Sequence, residues 1–325
     1  MAVVYMTAVK AETDQSVALG TILPMETAAP AARVVKVGMY VNSVHQVEVD
    51  SSAYDLDAFL WFKWRGSFDP TTTVDIINMV EEWGAMVVPL NDEPALLPDG
   101  SSYQLLKVQG RFLQPFSFAD YPLDRQKLSV YLEDNTYGAD DLVYEMDAEG
   151  SGFGPTLSIP GWQVEGWSSQ QLRHDYGSVF GAQGAGGPSV YSMLRFDLDI
   201  ARPTGLFVWK LMLPLVVVLA AALMALLFDP RLVEVRTSLP ALGILAMVVL
   251  QQSYSDALPD AGHFVLMDKI YVVAYAMIML TLLRTIRTSR SDPGEAEATR
   301  LADLKLLFGQ VIAFAATVAV IIATR

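Results

Sequence analysis

Two regimes of hydrophobic patterning divide the chain. From about Arg33 to Ala201 apolar residues alternate with polar ones, as in Val35, Val37, Met39 and Val41, and again in Leu56, Ala58, Leu60, Phe62 and Trp64. A period of two puts such a series on one face of a strand, which predicts strands with one buried side. Leu128, Val130 and Leu132 interleave with Ser129, Tyr131 and Glu133, and a last strand carries Leu194, Phe196, Leu198 and Ile200. Turns rich in Gly, Pro, Asn and Asp separate these runs, so residues 33–201 are expected to form an immunoglobulin-like antiparallel β-sandwich. One short helix is expected at Thr73 to Trp83, where Val74, Ile77, Val80 and Glu81 have helical spacing. Residues 1–32 are expected to be an N-terminal extension, disordered or a short helix.

Beyond Arg202 the alternation gives way to long apolar runs. The stretch LFVWKLMLPLVVVLAAALMALLF begins at Leu206. Its roughly 23 residues make a helix of about 34 Å, enough to cross a hydrocarbon core of about 30 Å. Three further runs reach spanning length, so helices are expected at about 206–228, 233–254, 263–287 and 300–323. The fold class is therefore an α+β membrane protein, the sandwich followed by a four-helix transmembrane bundle over 202–325. The links are short: Asp229-Pro230-Arg231 allows a tight reversal, Asp256 to Gly262 a short loop, and Ser289 to Thr299 a polar linker. Arg231, Arg236, Arg284, Arg287, Arg290 and Arg300 gather at the first and third links. The positive-inside bias makes that side cytoplasmic and sets residues 1–201 outside the cell. The start shows no charged leader followed by an apolar stretch and a cleavage site, so a processed start is expected for an exported domain.

Charge sharpens the picture. Residues 1–200 carry 11 Lys and Arg against 27 Asp and Glu, whereas 201–325 carry 11 against 9. An outer part this acidic disfavours nucleic acid as a partner and favours small cations. The chain has no cysteine, which excludes a disulfide scaffold and thiolate metal sites. His45, His174 and His263 are scattered without metal-ligand spacing, and are expected to be solvated or capping side chains, with pH sensing as the alternative. The glycine-rich Gly177 to Pro188 lacks the Lys-Ser/Thr ending of a phosphate loop and is expected to be a hairpin tip. No acid, base and nucleophile converge, so an enzyme is not expected, nor a cofactor or a metal.

The second span holds the most informative spacing. Glu234, Ser238, Leu242, Leu245, Val249 and Gln252 fall on one helical face whose ends are polar and whose middle is apolar. Facing lipid, a carboxylate costs at least a few kcal/mol; facing water on the axis of an oligomer it does not. Copies around such an axis would stack a carboxylate ring, a hydroxyl ring and an apolar girdle, the parts of a filter and a gate. The alternative is that Glu234 merely opens a helix near its positive dipole end.

At this point the chain resembles the prokaryotic pentameric ligand-gated ion channels, the bacterial branch of the Cys-loop receptor family. The likeness runs from about Arg33 to the C-terminus. It rests on FLQPFSFADYPLDRQKLSVYLED, Phe112 to Asp134, with its Tyr121-Pro122-Leu123-Asp124 core, on Arg202 before the first span, on Pro214 within it, and on Leu258-Pro259 after the second. The resemblance implies a homopentamer in the bacterial inner membrane, its outer domain periplasmic or extracellular, touching membrane lipid and passing monovalent cations. Counting back from Leu258-Pro259 puts Glu234 at the cytoplasmic selectivity ring and Leu245 at the central gate. Leu242 stands where many relatives have Ser or Thr, and Pro240 lies inside the pore helix, where it predicts a kink.

The same resemblance implies an agonist site between subunits: Tyr176 and Tyr191 on the hairpin before the last strand, Glu133, Asn135 and Tyr137 after the signature loop, and Phe59 from the neighbouring subunit. Aromatic faces beside a carboxylate suit a small amine, with protons as the rival stimulus. Leu90 departs from the acidic residue often found there in relatives. Coupling to the membrane would run through Pro122, Asp124, Arg202 and Pro259, the Asp-Arg pair partly buried. The alternatives from other classes are a membrane-anchored periplasmic ligand-binding sensor without conduction, and a membrane enzyme.

Overall fold

The computed structural model describes residues 21–25, 32–80, 85–178, 190–256, 258, 264–289 and 296–324. The chain divides into two compact units. The first comprises Met1–Pro115, Lys127–Ile159 and Gly166–Leu198, and the second Phe116–Gln126, Pro160–Glu165 and Asp199–Arg325.

The strands are β1 (Thr21–Pro24), β2 (Arg33–Glu48), β3 (Ala53–Trp64), β4 (Val74–Ile76), β5 (Met79–Val80), β6 (Met86–Pro89), β7 (Ala95–Leu96), β8 (Ser102–Leu113), β9 (Arg125–Asp134), β10 (Leu142–Met146), β11 (Gly152–Phe153), β12 (Gln163–Asp175) and β13 (Val190–Ala201). One sheet runs β1-β12-β13-β9-β4 and the other β10-β2-β3-β8-β5, with β11 on β2 and β6 and β7 on β8. Alternation along β2 buries Val35, Val37, Met39 and Val41 almost completely. A bulge between Val41 and Ser43 then shifts the pleat by one residue, so that Val44 is the next core side chain. Leu56, Ala58, Leu60 and Phe62 of β3 face the same core, as do Leu128, Val130 and Leu132 of β9. The Tyr54 hydroxyl donates to the Ser129 carbonyl at 2.6 Å, so a buried phenol is satisfied across the sandwich.

Three expectations need correction. No helix forms at Thr73 to Ile77: Val74–Ile76 pairs with Asp134–Leu132 of β9, and Met79 and Val80 pair with Phe112 and Arg111 of β8. The sheet is not wholly antiparallel, because β10 and β11 both run parallel to β2. The N-terminal extension contains a strand, β1, paired along Leu172 to Asp175 of β12.

In the second unit, Leu206–Met212 is wound as a π-helix and continues into α1 (Leu213–Leu223) and a 3-10 turn at Met224–Leu227. Pro214 has no N–H to give the Lys210 carbonyl, and the wide turn before it, where the Leu213 N–H bonds Val208, absorbs the mismatch. The remaining helices are α2 (Val233–Ser255), α3 (Leu266–Thr288) and α4 (Ala296–Ala323). Among the described residues, four helices are thus long and apolar enough to cross a membrane. The chain is a multi-pass membrane protein. Helix α2 continues through Pro240, and α4 starts four residues before the expected 300. Gly243 lets α2 approach α1 closely, since a Cβ there would lie 2.8 Å from Ala222 Cβ.

Candidate functional site

Helix α2 has two unlike faces. Arg236, Pro240, Gly243, Met247 and Tyr254 are buried. Leu242, Leu245 and Val249 are 62%, 63% and 61% exposed, and Glu234, Ser238 and Gln252 are exposed with them. At about 100° per residue the two sets centre roughly 180° apart, so the stripe read from spacing is the face turned away from this chain's own bundle. Local hydrogen bonds set its chemistry. Ser238 Oγ donates to the Val235 carbonyl at 3.1 Å, which turns oxygen lone pairs rather than a proton outward. Near the other end Gln252 Nε2 donates to Asp256 Oδ1 at 2.6 Å.

A second cluster lies in the signature segment of the same unit. Arg202 Nε donates to Asp124 Oδ1 at 2.8 Å, and Gln126 Nε2 donates to the other oxygen at 2.8 Å. The Arg202 guanidinium also lies 5.1 Å from the Tyr121 ring centroid and 4.4 Å from that of Trp162. A carboxylate and two aromatic faces therefore hold one cation, Asp124 being only 2% exposed. The segment reaches the helices through Tyr121, stacked on Tyr254 of α2, and through the Ala119 carbonyl, which accepts from the Leu266 N–H at 2.9 Å. Tyr254 in turn donates to Asp268 of α3 and stacks on Tyr271. Pro122 is buried in a cis peptide with Tyr121. Pro259 lies outside the described residues.

Removing one member of a buried ion pair strands the other, at a cost of roughly 3 kcal/mol. Asp124→Asn is therefore expected to lower the melting temperature of the purified protein by several degrees, and Asp124→Arg with Arg202→Asp to recover most of that loss. An unchanged melting curve for Asp124→Asn would remove the clamp from this description.

The third cluster is a cavity of about 240 Å³ in the first unit, lined by Asp75, Glu133, Asp134, Asn135, Tyr176 and Tyr191. Four of these are sequence-expected ligand residues. The Tyr176 and Tyr191 rings meet edge to face at 5.7 Å. His174, with 0% exposure, places Nδ1 2.8 Å from Glu133 Oε2, and its ring sits 3.9 Å from that of Tyr176. Burial first, then the Glu133 carboxylate, pushes the Tyr176 phenol well above the usual tyrosine range, so it stays protonated. Asp134 is already engaged: Oδ1 accepts from the N–H groups of Thr136 and Tyr137, and Oδ2 from the hydroxyls of Thr73 and Tyr144. Asp75 is exposed.

The other two expected ligand residues lie apart from the cavity. Tyr137 meets Phe68 edge to face, and the Arg33 guanidinium sits 4.8 Å from one ring and 4.9 Å from the other, so that aromatic pair already holds a cation of the chain itself. Phe59 is half-buried on β3, paired in register with Tyr40 and Lys107. The histidine expectation fails for His174, which is neither solvated nor a cap. His263 and most of the glycine-rich tip fall outside the described residues. Sequence reasoning missed Asp75, His174, Trp162, Tyr254 and Asp268.

No family model matches the chain. It is 21% identical over 290 residues to a proton-gated ion channel of Gloeobacter violaceus, a match that covers 82% of this chain and 77% of that protein. It is also 21% identical over 188 residues to the gamma-aminobutyric acid receptor subunit rho-3 of Homo sapiens, covering 57% of this chain and 38% of the human one.

Proposed function

The chain is a homologue of the prokaryotic pentameric ligand-gated ion channels, and on that premise we propose that it forms a cation-selective homopentameric channel in a bacterial inner membrane. A stimulus received by the periplasmic sandwich opens an apolar gate in α2. The observation that carries this reading is the α2 face headed by Glu234 and waisted by Leu242, Leu245 and Val249, all exposed on the single chain while the opposite face is buried. Five copies turned toward one axis give that face water to line, and the Glu234 ring lowers the energy of a cation while raising that of an anion. Asp124, Arg202, Pro122 and Pro259 carry the signal toward the span ends.

For the stimulus, the acidic cavity beside Tyr176 and Tyr191 favours an organic amine. Its volume of about 240 Å³ falls under the roughly 300–1,000 Å³ of drug-sized pockets, which limits the ligand to a few heavy atoms. Protons are the second reading, favoured by the buried His174 and Glu133 pair and by the proton-gated relative. The test is current through the purified protein in planar bilayers, stepping pH and then adding propylamine, for the parent and for Tyr191→Ala. An amine site predicts that propylamine opens the parent and that the variant needs at least tenfold more, since one buried ring facing a cation is worth roughly 1–2 kcal/mol. Opening by pH alone, equal in both proteins, would transfer the stimulus to protons. Absence of current under every condition would overturn the channel and favour a sensor.

A further inference from the structure

Three helices meet around one carboxylate in the bundle. Asp303 of α4 is 0% exposed and accepts from Arg236 Nη2 of α2 at 2.5 Å and from Arg284 Nε of α3 at 2.8 Å. Arg236 is itself 1% exposed; its Nε donates to the Ala225 carbonyl at 3.2 Å and its Nη1 has no hydrogen-bond partner among the described residues. Two guanidinium groups thus share one carboxylate. Such a cluster is a poor stability device, because apolar side chains of similar volume commonly do as well or better. The first turn of a helix is also an unfavourable place for a cation, since the helix dipole is positive there. Arg236 sits in the first turn of α2 nonetheless.

Its place relative to Glu234 suggests a use. Two residues along a helix are about 200° apart, so Arg236 points into the bundle while its backbone stays within one turn of the Glu234 carboxylate on the exposed face. The geometry points to Asp303 as a positioning residue for selectivity: it keeps the Arg236 cation inside the protein, so that the inner mouth presents the charge of Glu234 alone. This rests on the reading of α2 as the pore helix. Without the Asp303 charge, Arg236 would keep only neutral acceptors, the Ala225 carbonyl among them, and would face Arg284 with no anion between them. A buried cation so placed moves to water. The nearest water for a side chain of this length lies at the start of α2, beside Glu234. Pro240 eases the move, since it has no N–H to give the Arg236 carbonyl and leaves that turn less tightly bonded. Within a Debye length of about 10 Å, each released guanidinium offsets one carboxylate.

The peripheral helix is suited to this task because it is held by polar contacts. Among the described residues of α4, the buried ones are Thr299, Asp303 and Gln310, on one face. Gln310 donates to the Met277 carbonyl at 3.0 Å and lies 3.2 Å from the Thr281 hydroxyl. Where lipid competes equally for apolar surface, such polar contacts decide how a helix docks.

The test uses the full-length protein in planar bilayers under a tenfold salt gradient, with assembly followed by size exclusion. Asp303→Asn is expected to cut the cation-to-anion permeability ratio at least fivefold relative to the parent, and Asp303→Glu to stay within twofold of it. Adding Arg236→Gln to Asp303→Asn should return the ratio to within twofold, because no cation is left to release. An unshifted ratio in Asp303→Asn would overturn the assignment, and so would a double variant as shifted as the single one. If Asp303→Asn does not assemble, the double variant must restore the pentamer; failure of both overturns the proposal. A parent without cation preference would refute the proposed selectivity instead, while the shift between Asp303→Asn and the parent still decides the role of Asp303.

Discussion

Glu234→Ala is expected to reduce the cation-to-anion permeability ratio at least tenfold while leaving assembly intact. A cation on the axis about 6 Å from a carboxylate gains about 0.7 kcal/mol even at the dielectric constant of water. Five such charges give about 3.5 kcal/mol, which screening by the permeating salt reduces to roughly half. The remainder still favours a cation by more than a factor of ten and disfavours an anion to a similar degree. Glu234 is exposed on the chain, so its removal breaks no packing. Reversal potentials in a salt gradient measure the ratio directly, and equal values in parent and variant would take the selectivity ring away from Glu234.

Leu245→Ser should open the channel more readily, with current in the absence of stimulus and a stimulus requirement lowered at least tenfold. Leu245 is 63% exposed on the single chain, so the apolar area it can bury in a closed assembly belongs to its neighbours around the axis. If each of five leucines loses about 40 Å² of contact, the closed state loses roughly 5 kcal/mol, and the girdle that excluded water becomes wettable. Leu242 and Val249, one turn to either side, keep part of the constriction apolar, so the change is a shift in the balance of states rather than a permanent leak. Dose-response curves decide the matter. A variant that needs a stronger stimulus than its parent would place the gate elsewhere.

Much of this architecture was legible because long-range physics agreed with local pattern. The β2 and β3 alternation and the four apolar runs each follow from one rule, that a period of two or a run of about 20 selects a single environment. The α2 stripe was legible for the same reason, six positions sharing one face. Failures came where neighbours rather than neighbours-in-sequence set the outcome. Val74, Ile77 and Val80 have the spacing of a helix, yet β4 and β5 are too short to display alternation, and β9 and β8 impose their register. His174 was an isolated histidine in sequence; Glu133, which it meets, lies 41 positions away. Arg236 was counted among the basic residues that mark the cytoplasmic side, and its burial against Asp303 was not legible from that count. A lone aspartate within the apolar fourth run was the signal available, since an ionisable group in a span calls for a partner.

The decisive measurement is thiol accessibility along α2, for which a chain free of cysteine is ready without further change. Ser238→Cys, Leu242→Cys, Leu245→Cys and Val249→Cys are each expected to react with a charged, membrane-impermeant thiol reagent in the open protein, and to lose current as they do. Met247→Cys, on the buried face, should stay unmodified. Protection of Leu245→Cys and Val249→Cys from that reagent, together with their labelling by a lipid-soluble one, would put this face against the bilayer and contradict the pore.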